Sequence, residues 1–153
     1  MITQLLMSRC LLLATCLWAS WSDLRHRRIA NWLSAATAAG GLSFAAFEGG
    51  FQGLGNHALH MSIALIGGMV LFRFGVFGGG DAKFYAAVAS WFSTGRAILL
   101  LLTVSLFGVV LLFVWFAVRR LSGKPVRVKN STAFDSLPYG ISIAAGAVIS
   151  SFL

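Results

Sequence analysis

Six apolar stretches separated by short polar segments account for most of the chain. The pattern predicts helices over about 2–21, 29–47, 57–77, 82–92, 97–118 and 138–153. As a helix, the fifth stretch would be about 33 Å long, enough to cross the hydrocarbon core of a bilayer. The fourth is short for a span, and a stretch of that length is often re-entrant. The pattern therefore predicts an all-α polytopic membrane protein with six transmembrane helices in one bundle.

Composition favours the same class of protein. Of the 153 residues, 58% are hydrophobic and only 10% are charged, whereas about a quarter are charged in a typical soluble domain. A soluble protein of this length could not bury so much apolar side chain, so residues 1–153 are expected to form a single membrane-embedded domain. The only two cysteines, Cys10 and Cys16, lie in the first apolar stretch and are interpreted as small apolar residues.

The basic residues are concentrated in short loops. If all six stretches span, the loops 22–28, 73–83 and 119–137 share one side and hold ten of the 12 Lys and Arg. This asymmetry predicts that these loops are cytoplasmic and that both termini lie outside, and it favours a spanning fourth stretch. A net charge of +8 in this arrangement indicates attraction to anionic membrane lipid, with 119–129 as a lipid-facing anchor, and no nucleic-acid partner.

Three local features affect the interpretation of the chain. The first stretch resembles a signal peptide, but its basic cluster follows the apolar residues, so we expect it to remain as a helix. The glycine-rich segment 48–56 predicts a flexible loop. His57 and His60 lie one turn apart without a visible third metal ligand, and they are interpreted as interfacial polar residues.

Two of the four acidic residues are predicted to lie at the same membrane face. Asp81 follows Gly78-Gly79-Gly80 where an apolar stretch ends, and Asp23 lies at the cytoplasmic end of the first stretch. A carboxylate at that depth is costly without a partner or a function. Two simpler interpretations stay open: Asp81 could be only the N-cap of the next helix, and Asp23 could only pair with Arg27 or Arg28.

Aspartyl proteolysis is the chemistry that requires two carboxylates at membrane level. Two close aspartates share a proton and titrate as a pair. The ionised one takes a proton from water, and the protonated one polarises the scissile carbonyl. No metal or cofactor is needed. The three glycines would leave room and exposed amides for an extended substrate backbone.

The motifs resemble those of a known family, and the resemblance covers essentially the whole chain. Gly78-Gly79-Gly80-Asp81-Ala82-Lys83 matches the G-x-G-D-x-K signature of the bacterial type IV prepilin peptidases, a group of membrane aspartyl proteases. Asp23 to Asn31 is similar to the family's first motif, although Ala30 stands where proline is usual. Leu137-Pro138-Tyr139-Gly140 resembles the Pro-Tyr-Gly that opens the last helix in many members.

The resemblance implies roles for individual residues. It implies Asp23 and Asp81 as the catalytic pair. It also implies substrate-binding or site-shaping positions at Gly78, Gly79, Gly80, Lys83, Asn31, Pro138, Tyr139 and Gly140.

The resemblance further implies an activity and its setting. Longer members carry an N-terminal methylase domain with paired CxxC motifs, which is not expected here, so the chain resembles the short type that serves Flp, or tight-adherence, pili. It implies cleavage of prepilin leader peptides at the cytoplasmic face of the bacterial inner membrane, in association with a pilus assembly machinery. Two alternatives stay open: a small ion- or proton-coupled transporter subunit, and a non-catalytic scaffold of a pilus or secretion machine.

Overall fold

The computed structural model describes residues 2–75, 77–122 and 139–153, and within these ranges it is helical without strands. This confirms the all-α prediction. A single 3₁₀ turn, Thr94–Arg96, precedes the fourth helix. In the described part of the chain the α-helices are α1 (Ile2–His26), α2 (Asn31–Arg73), α3 (Gly79–Ala89), α4 (Ala97–Leu121) and α5 (Tyr139–Phe152).

The helix α2 consists of two arms that meet at Gly50. Gly50 has φ 57° and ψ −147°, a conformation that favours glycine. Beyond it the chain folds back, so that a Cβ on Gly53 would lie 2.6 Å from the carbonyl oxygen of Ala45. The prediction of a flexible loop over 48–56 is therefore wrong, because a single residue makes the reversal and its neighbours remain helical. The arms, 31–49 and 51–73, correspond to the second and third predicted helices.

The short helix α3 packs against both arms of α2. A Cβ on Gly68 would touch Ala82 at the start of α3, and a Cβ on Gly41 would collide with Ser90 at its end. Most of α3 is buried, including Phe84 and Val88 at 0% exposure. Its 11 residues extend about 16 Å, roughly half of the hydrocarbon thickness.

Two histidines fix the end of α3. The Nδ1 atom of His57 lies 2.9 Å from the carbonyl oxygen of Ser90, and that of His60 lies 2.9 Å from the carbonyl oxygen of Phe92. A carbonyl only accepts, so both Nδ1 atoms carry the proton. The interpretation as interfacial residues is wrong for His60, which is 2% exposed. Both side chains instead satisfy carbonyl groups that the end of α3 leaves without helical partners.

Helices α4 and α5 approach closely along small residues. A Cβ on Gly146 would lie 2.6 Å from the backbone of Val104. The hydroxyls of Thr103 and Ser150 share a hydrogen bond of 2.7 Å within this buried interface. Small residues and a hydroxyl pair are typical of helix packing in membranes.

The outward surface of the bundle is apolar. Within the described residues, two helical segments are long and apolar enough to cross a membrane, Asn31–Arg73 and Thr94–Leu121, and Tyr139–Phe152 is a shorter apolar helix. Only 22% of the most apolar window of Thr94–Leu121 is buried inside the protein, unlike the core helix of a soluble protein. These features indicate a membrane protein. That all six apolar stretches span the bilayer stays a prediction.

The basic segments only partly match their predicted form. Helix α1 continues to His26, so the predicted turn 22–28 is largely its last turn, and Arg27 follows with a positive φ of 51°. Arg119 is 9% exposed, and its guanidinium lies 5.0 Å over the ring of Trp115. Arg119 is therefore packed inside the protein, contrary to its predicted role in a lipid-facing anchor. Residues 123–137 of that predicted anchor loop lie outside the described residues.

Candidate active site

A cavity of about 920 Å³ opens where α1 ends and where α2, α3 and α5 begin. It brings together most of the residues that the motifs predict for the site. The predicted residues that line it are Asp23, Asn31, Gly78, Gly79, Gly80, Asp81, Lys83 and Tyr139. Gly140 lies behind Asp23 and contacts it, and Pro138 lies outside the described residues.

Asp23 enters the cavity from the last turn of α1. The residue is only 6% exposed. The backbone N–H of Gly140 donates a hydrogen bond of 2.9 Å to its Oδ2 atom. Burial raises the pKa of Asp23, whereas the Gly140 hydrogen bond and the positive charge of Arg27 lower it. Pairing with Arg27 therefore contributes to the environment of Asp23, but it is the weakest of the three effects.

Asp81 enters the same cavity from the first turn of α3. Burial raises its pKa to about 7, and the negative charge of Asp23 acts in the same direction. The two carboxyl groups therefore interact electrostatically. A carboxyl group in this environment holds its proton at neutral pH far more readily than a solvated aspartate.

The simpler interpretation of Asp81 as a helix cap does not match the structure. The N-cap of α3 is Gly78, and no side chain forms a capping hydrogen bond there. The side chain of Asp81 instead folds back over Gly78, where a Cβ would lie 2.5 Å from Oδ2. Because Gly78 has no Cβ, the carboxyl group of Asp81 can occupy this space.

The other two glycines of the triad Gly78-Gly79-Gly80 have more room for an added Cβ. A Cβ on Gly79 would lie 3.4 Å from the ring of Phe72, and one on Gly80 would lie 3.9 Å from the backbone nitrogen of Ile29. Both are ordinary contacts. That these glycines admit a substrate backbone stays a prediction.

Lys83 and Asn31 form a polar contact at the edge of the cavity. The Nζ atom of Lys83 donates a hydrogen bond of 3.1 Å to Oδ1 of Asn31, and the bond is exposed. The bond connects the first turn of α2 with Lys83 of α3, which follows Asp81 by two residues. It holds the positive charge of Lys83 at the cavity rim.

Tyr139 lines the cavity from the first turn of α5. Its ring packs edge to face on Phe77 with 4.9 Å between centroids. Its hydroxyl lies over Gly108, where a Cβ would be only 2.7 Å away. Sequence reasoning missed Gly108, although an isolated glycine inside an apolar helix is a known signal of close packing.

The chemistry of the cavity is that of a carboxyl pair. Among the described residues, no group of three or more His, Cys, Asp or Glu is placed to hold a metal ion. The cavity offers two carboxyl groups whose pKa values are both raised by burial: at Asp23 two neighbours partly oppose the rise, whereas at Asp81 the charge of Asp23 adds to it. This division between two environments is how paired carboxyl groups acquire acid and base roles.

Comparison with known proteins identifies the family. A model of the type IV leader peptidase family matches residues 10–113, about two thirds of the chain, including both aspartates and the glycine triad. The chain belongs to the type IV leader peptidase family. Membership implies a protease whose substrate is a pilin precursor. Comparisons with curated proteins and with solved structures found no match.

The matched region ends within α4. The family match therefore does not include Tyr139 and Gly140 of α5. The structure nevertheless places both residues at the site.

Proposed function

We propose that this leader peptidase is a membrane aspartic endopeptidase in which Asp23 and Asp81 form the catalytic pair. One observation carries the proposal: both carboxyl groups line one cavity and lie close enough for the charge of Asp23 to raise the pKa of Asp81. Within the described residues, the only other acidic residue is Glu48, which does not line this cavity.

The surroundings of the two aspartates suggest how the roles divide. Asp23 accepts the Gly140 N–H bond and lies near Arg27, and both favour its ionised form. Among the described residues, the two named causes both raise the pKa of Asp81, so we assign Asp81 as the member that retains the shared proton. Ionised Asp23 is then the general base, and protonated Asp81 is the general acid.

The reaction follows from these roles. Asp23 removes a proton from a water molecule as its oxygen attacks the carbonyl carbon of the scissile peptide bond. Asp81 transfers its proton to the carbonyl oxygen, giving a neutral tetrahedral diol. In the collapse step the diol returns a proton to Asp81, Asp23 gives its proton to the leaving nitrogen, and the C–N bond breaks. Both carboxyl groups thereby recover their starting states.

The orientation in the membrane is part of the proposal. The ten basic residues on the active-site side support a cytoplasmic location for the cavity in a bacterial inner membrane, with both termini periplasmic. The predicted basic loop after α4 would contact anionic membrane lipid. The finer assignment to a Flp-type prepilin and its assembly machinery is supported by the resemblance of the motifs alone.

The proposed activity can be tested by co-expression with a candidate Flp-type prepilin. We expect a shift of the pilin band to the size of the form without its leader. A prepilin whose residues flanking the cleavage point are replaced is the matched control, and it should remain unprocessed. If the wild-type pilin stays at precursor size with an inserted peptidase, that pilin class is not the substrate.

A further inference from the structure

A second cavity, of about 230 Å³, lies at the opposite end of the bundle from the aspartate pair. At 1.5 Å per residue, Arg9 of this cavity is about 21 Å from Asp23 along α1. Ser151 is similarly about 18 Å from Tyr139 along α5. The cavity shares no lining residue with the candidate active site. If the bundle spans the bilayer, this end lies at the other membrane interface.

Two guanidinium groups line the cavity, and neighbouring residues of α5 hold each of them in place. Arg9 lies over the ring of Phe152 with its guanidinium carbon 5.0 Å from the ring centroid. Arg96 donates a hydrogen bond of 3.1 Å from Nη1 to the carbonyl oxygen of Ser150. Each guanidinium has five N–H donors, so these contacts leave most of them for a ligand. Fixed guanidinium groups are well suited to bind phosphate oxygens.

A carboxylate lines the same cavity. Glu48 is exposed at the end of the first arm of α2, and in the described part of the chain it forms no ion pair with Arg9 or Arg96. The cavity therefore presents two positive groups and one separate negative group. His57 also lines it, but its Nδ1 is already bonded to the carbonyl oxygen of Ser90.

The rest of the wall is apolar. Leu12 and Phe92 line the cavity, and Phe44 and Trp91 add two stacked rings with centroids 6.3 Å apart. A cavity that combines charged groups with apolar walls at the end of a membrane bundle fits the junction between a lipid headgroup and its acyl chains. A volume of about 230 Å³ equals that of about eight liquid waters, which suits a phosphodiester with a short amino alcohol.

We propose that this cavity binds the phosphoethanolamine headgroup of a zwitterionic membrane lipid. The phosphate would lie between Arg9 and Arg96, and the ammonium group would pair with Glu48. The charge pattern supports this choice, because an anionic headgroup without an amine would leave Glu48 unpaired beside a phosphate. The site is independent of the aspartate pair.

The proposal can be tested by native mass spectrometry of the purified full-length protein. Short-chain phosphatidylethanolamine, short-chain phosphatidylglycerol and inorganic phosphate are titrated separately. We expect the wild-type protein to bind phosphatidylethanolamine more tightly than phosphatidylglycerol. Arg9→Gln and Arg96→Gln should each weaken that binding about tenfold, the cost of losing one charge-assisted contact. Arg25→Gln is the matched control and should bind normally, because Arg25 is an exposed arginine at the far end of α1 whose guanidinium carbon also lies over an aromatic ring, 5.9 Å from the centroid of Trp21.

Glu48→Gln tests the ammonium contact separately. This variant should lose the preference for phosphatidylethanolamine while it still binds phosphatidylglycerol. Equal binding of the two lipids by the wild-type protein would overturn the proposal, as would normal binding by both arginine variants. Displacement of the lipid by equimolar inorganic phosphate would also overturn it, in favour of a site for free anions. Asp23→Asn should bind lipid normally, so the result is independent of peptidase activity.

Discussion

The backbone N–H of Gly140 donates a hydrogen bond of 2.9 Å to Oδ2 of Asp23, across 117 residues of sequence. This bond connects the beginning of α5 to the last turn of α1. It favours the ionised form of Asp23, whereas the pKa of Asp81 is raised to about 7. A residue of the last helix thereby positions one carboxyl group of the pair, and in the proposed mechanism this contact favours Asp23 as the base.

Gly140→Ala should impair cleavage without removing a catalytic group. The new Cβ would lie 2.8 Å from Oδ2 of Asp23 and 2.9 Å from Cδ1 of Ile29, so the carboxylate must move. A misplacement of about 1 Å can cost about a hundredfold in rate. The measurement is the rate of leader-peptide cleavage by reconstituted protein.

Gly67→Ala is the matched control for this change. A Cβ added to Gly67 would meet no atom of another element within 4 Å, so alanine fits without displacement. We expect its cleavage rate to equal that of the wild-type protein. If Gly140→Ala cleaves as fast as Gly67→Ala, the position of Asp23 does not depend on the close packing at Gly140.

Cleavage should decline as the pH rises through about 7. The pKa of Asp81 is raised to about 7, so its acid form, which the mechanism requires, is lost above that value. Well above it, the rate should fall by about tenfold for each pH unit. The measurement is initial cleavage rate against pH in vesicles, with insertion and folding checked at each pH. A rate that stays constant or rises between about pH 7 and 9 would contradict the assignment of Asp81 as the acid.

Gly146→Ala should destabilise the protein. Its Cβ would lie 2.6 Å from the backbone of Val104, and a backbone cannot move aside as a side-chain end can. Overpacking of this kind costs about 1–3 kcal/mol of unfolding free energy. Thermal unfolding in detergent should show a lower Tm for Gly146→Ala than for Gly67→Ala. Equal Tm values would mean that α4 and α5 separate at little cost.

Reporter fusions should place the two ends of the bundle on opposite sides of the membrane. The first fusion is made after Phe47, which lies near the end of the first arm of α2, and the second after Lys124, which follows α4 in the sequence. We expect a periplasmic signal from the first and a cytoplasmic signal from the second, because the basic loops adjoin the second. Signals from the same side of the membrane for both fusions would contradict the proposed topology.

Within the described residues, the apolar pattern predicted the order of the helical segments because membrane helices are long apolar runs. It did not predict that a single residue, Gly50, makes the turn between the second and third helical segments, since a glycine-rich segment is equally typical of a loop and of a helix broken once. The burial of His60 was also missed, because its partner is a carbonyl group 32 residues away that only the fold brings near.

For the candidate site, too, the sequence predicted the positions of residues but not the contacts that only the fold creates. The positions of Asp23 and Asp81 could be predicted because each ends or begins an apolar stretch at the same face. The contact of Gly140 with Asp23 and that of Tyr139 with Gly108 could not, because both depend on how closely α5 packs against α1 and α4.

Substitution of each aspartate by asparagine tests the catalytic pair most directly. Asparagine keeps the size of aspartate but cannot share a proton or act as a base. Leader-peptide cleavage is measured in membranes that hold equal amounts of Asp23→Asn, Asp81→Asn, the double variant, and Asp135→Asn as the matched control, because Asp135 is in none of the motifs. We predict that each single variant loses orders of magnitude in cleavage rate. The double variant should lose little more, because the pair acts as a unit. The control should cleave normally. Near-normal cleavage by either Asp23→Asn or Asp81→Asn would contradict the two-aspartate mechanism.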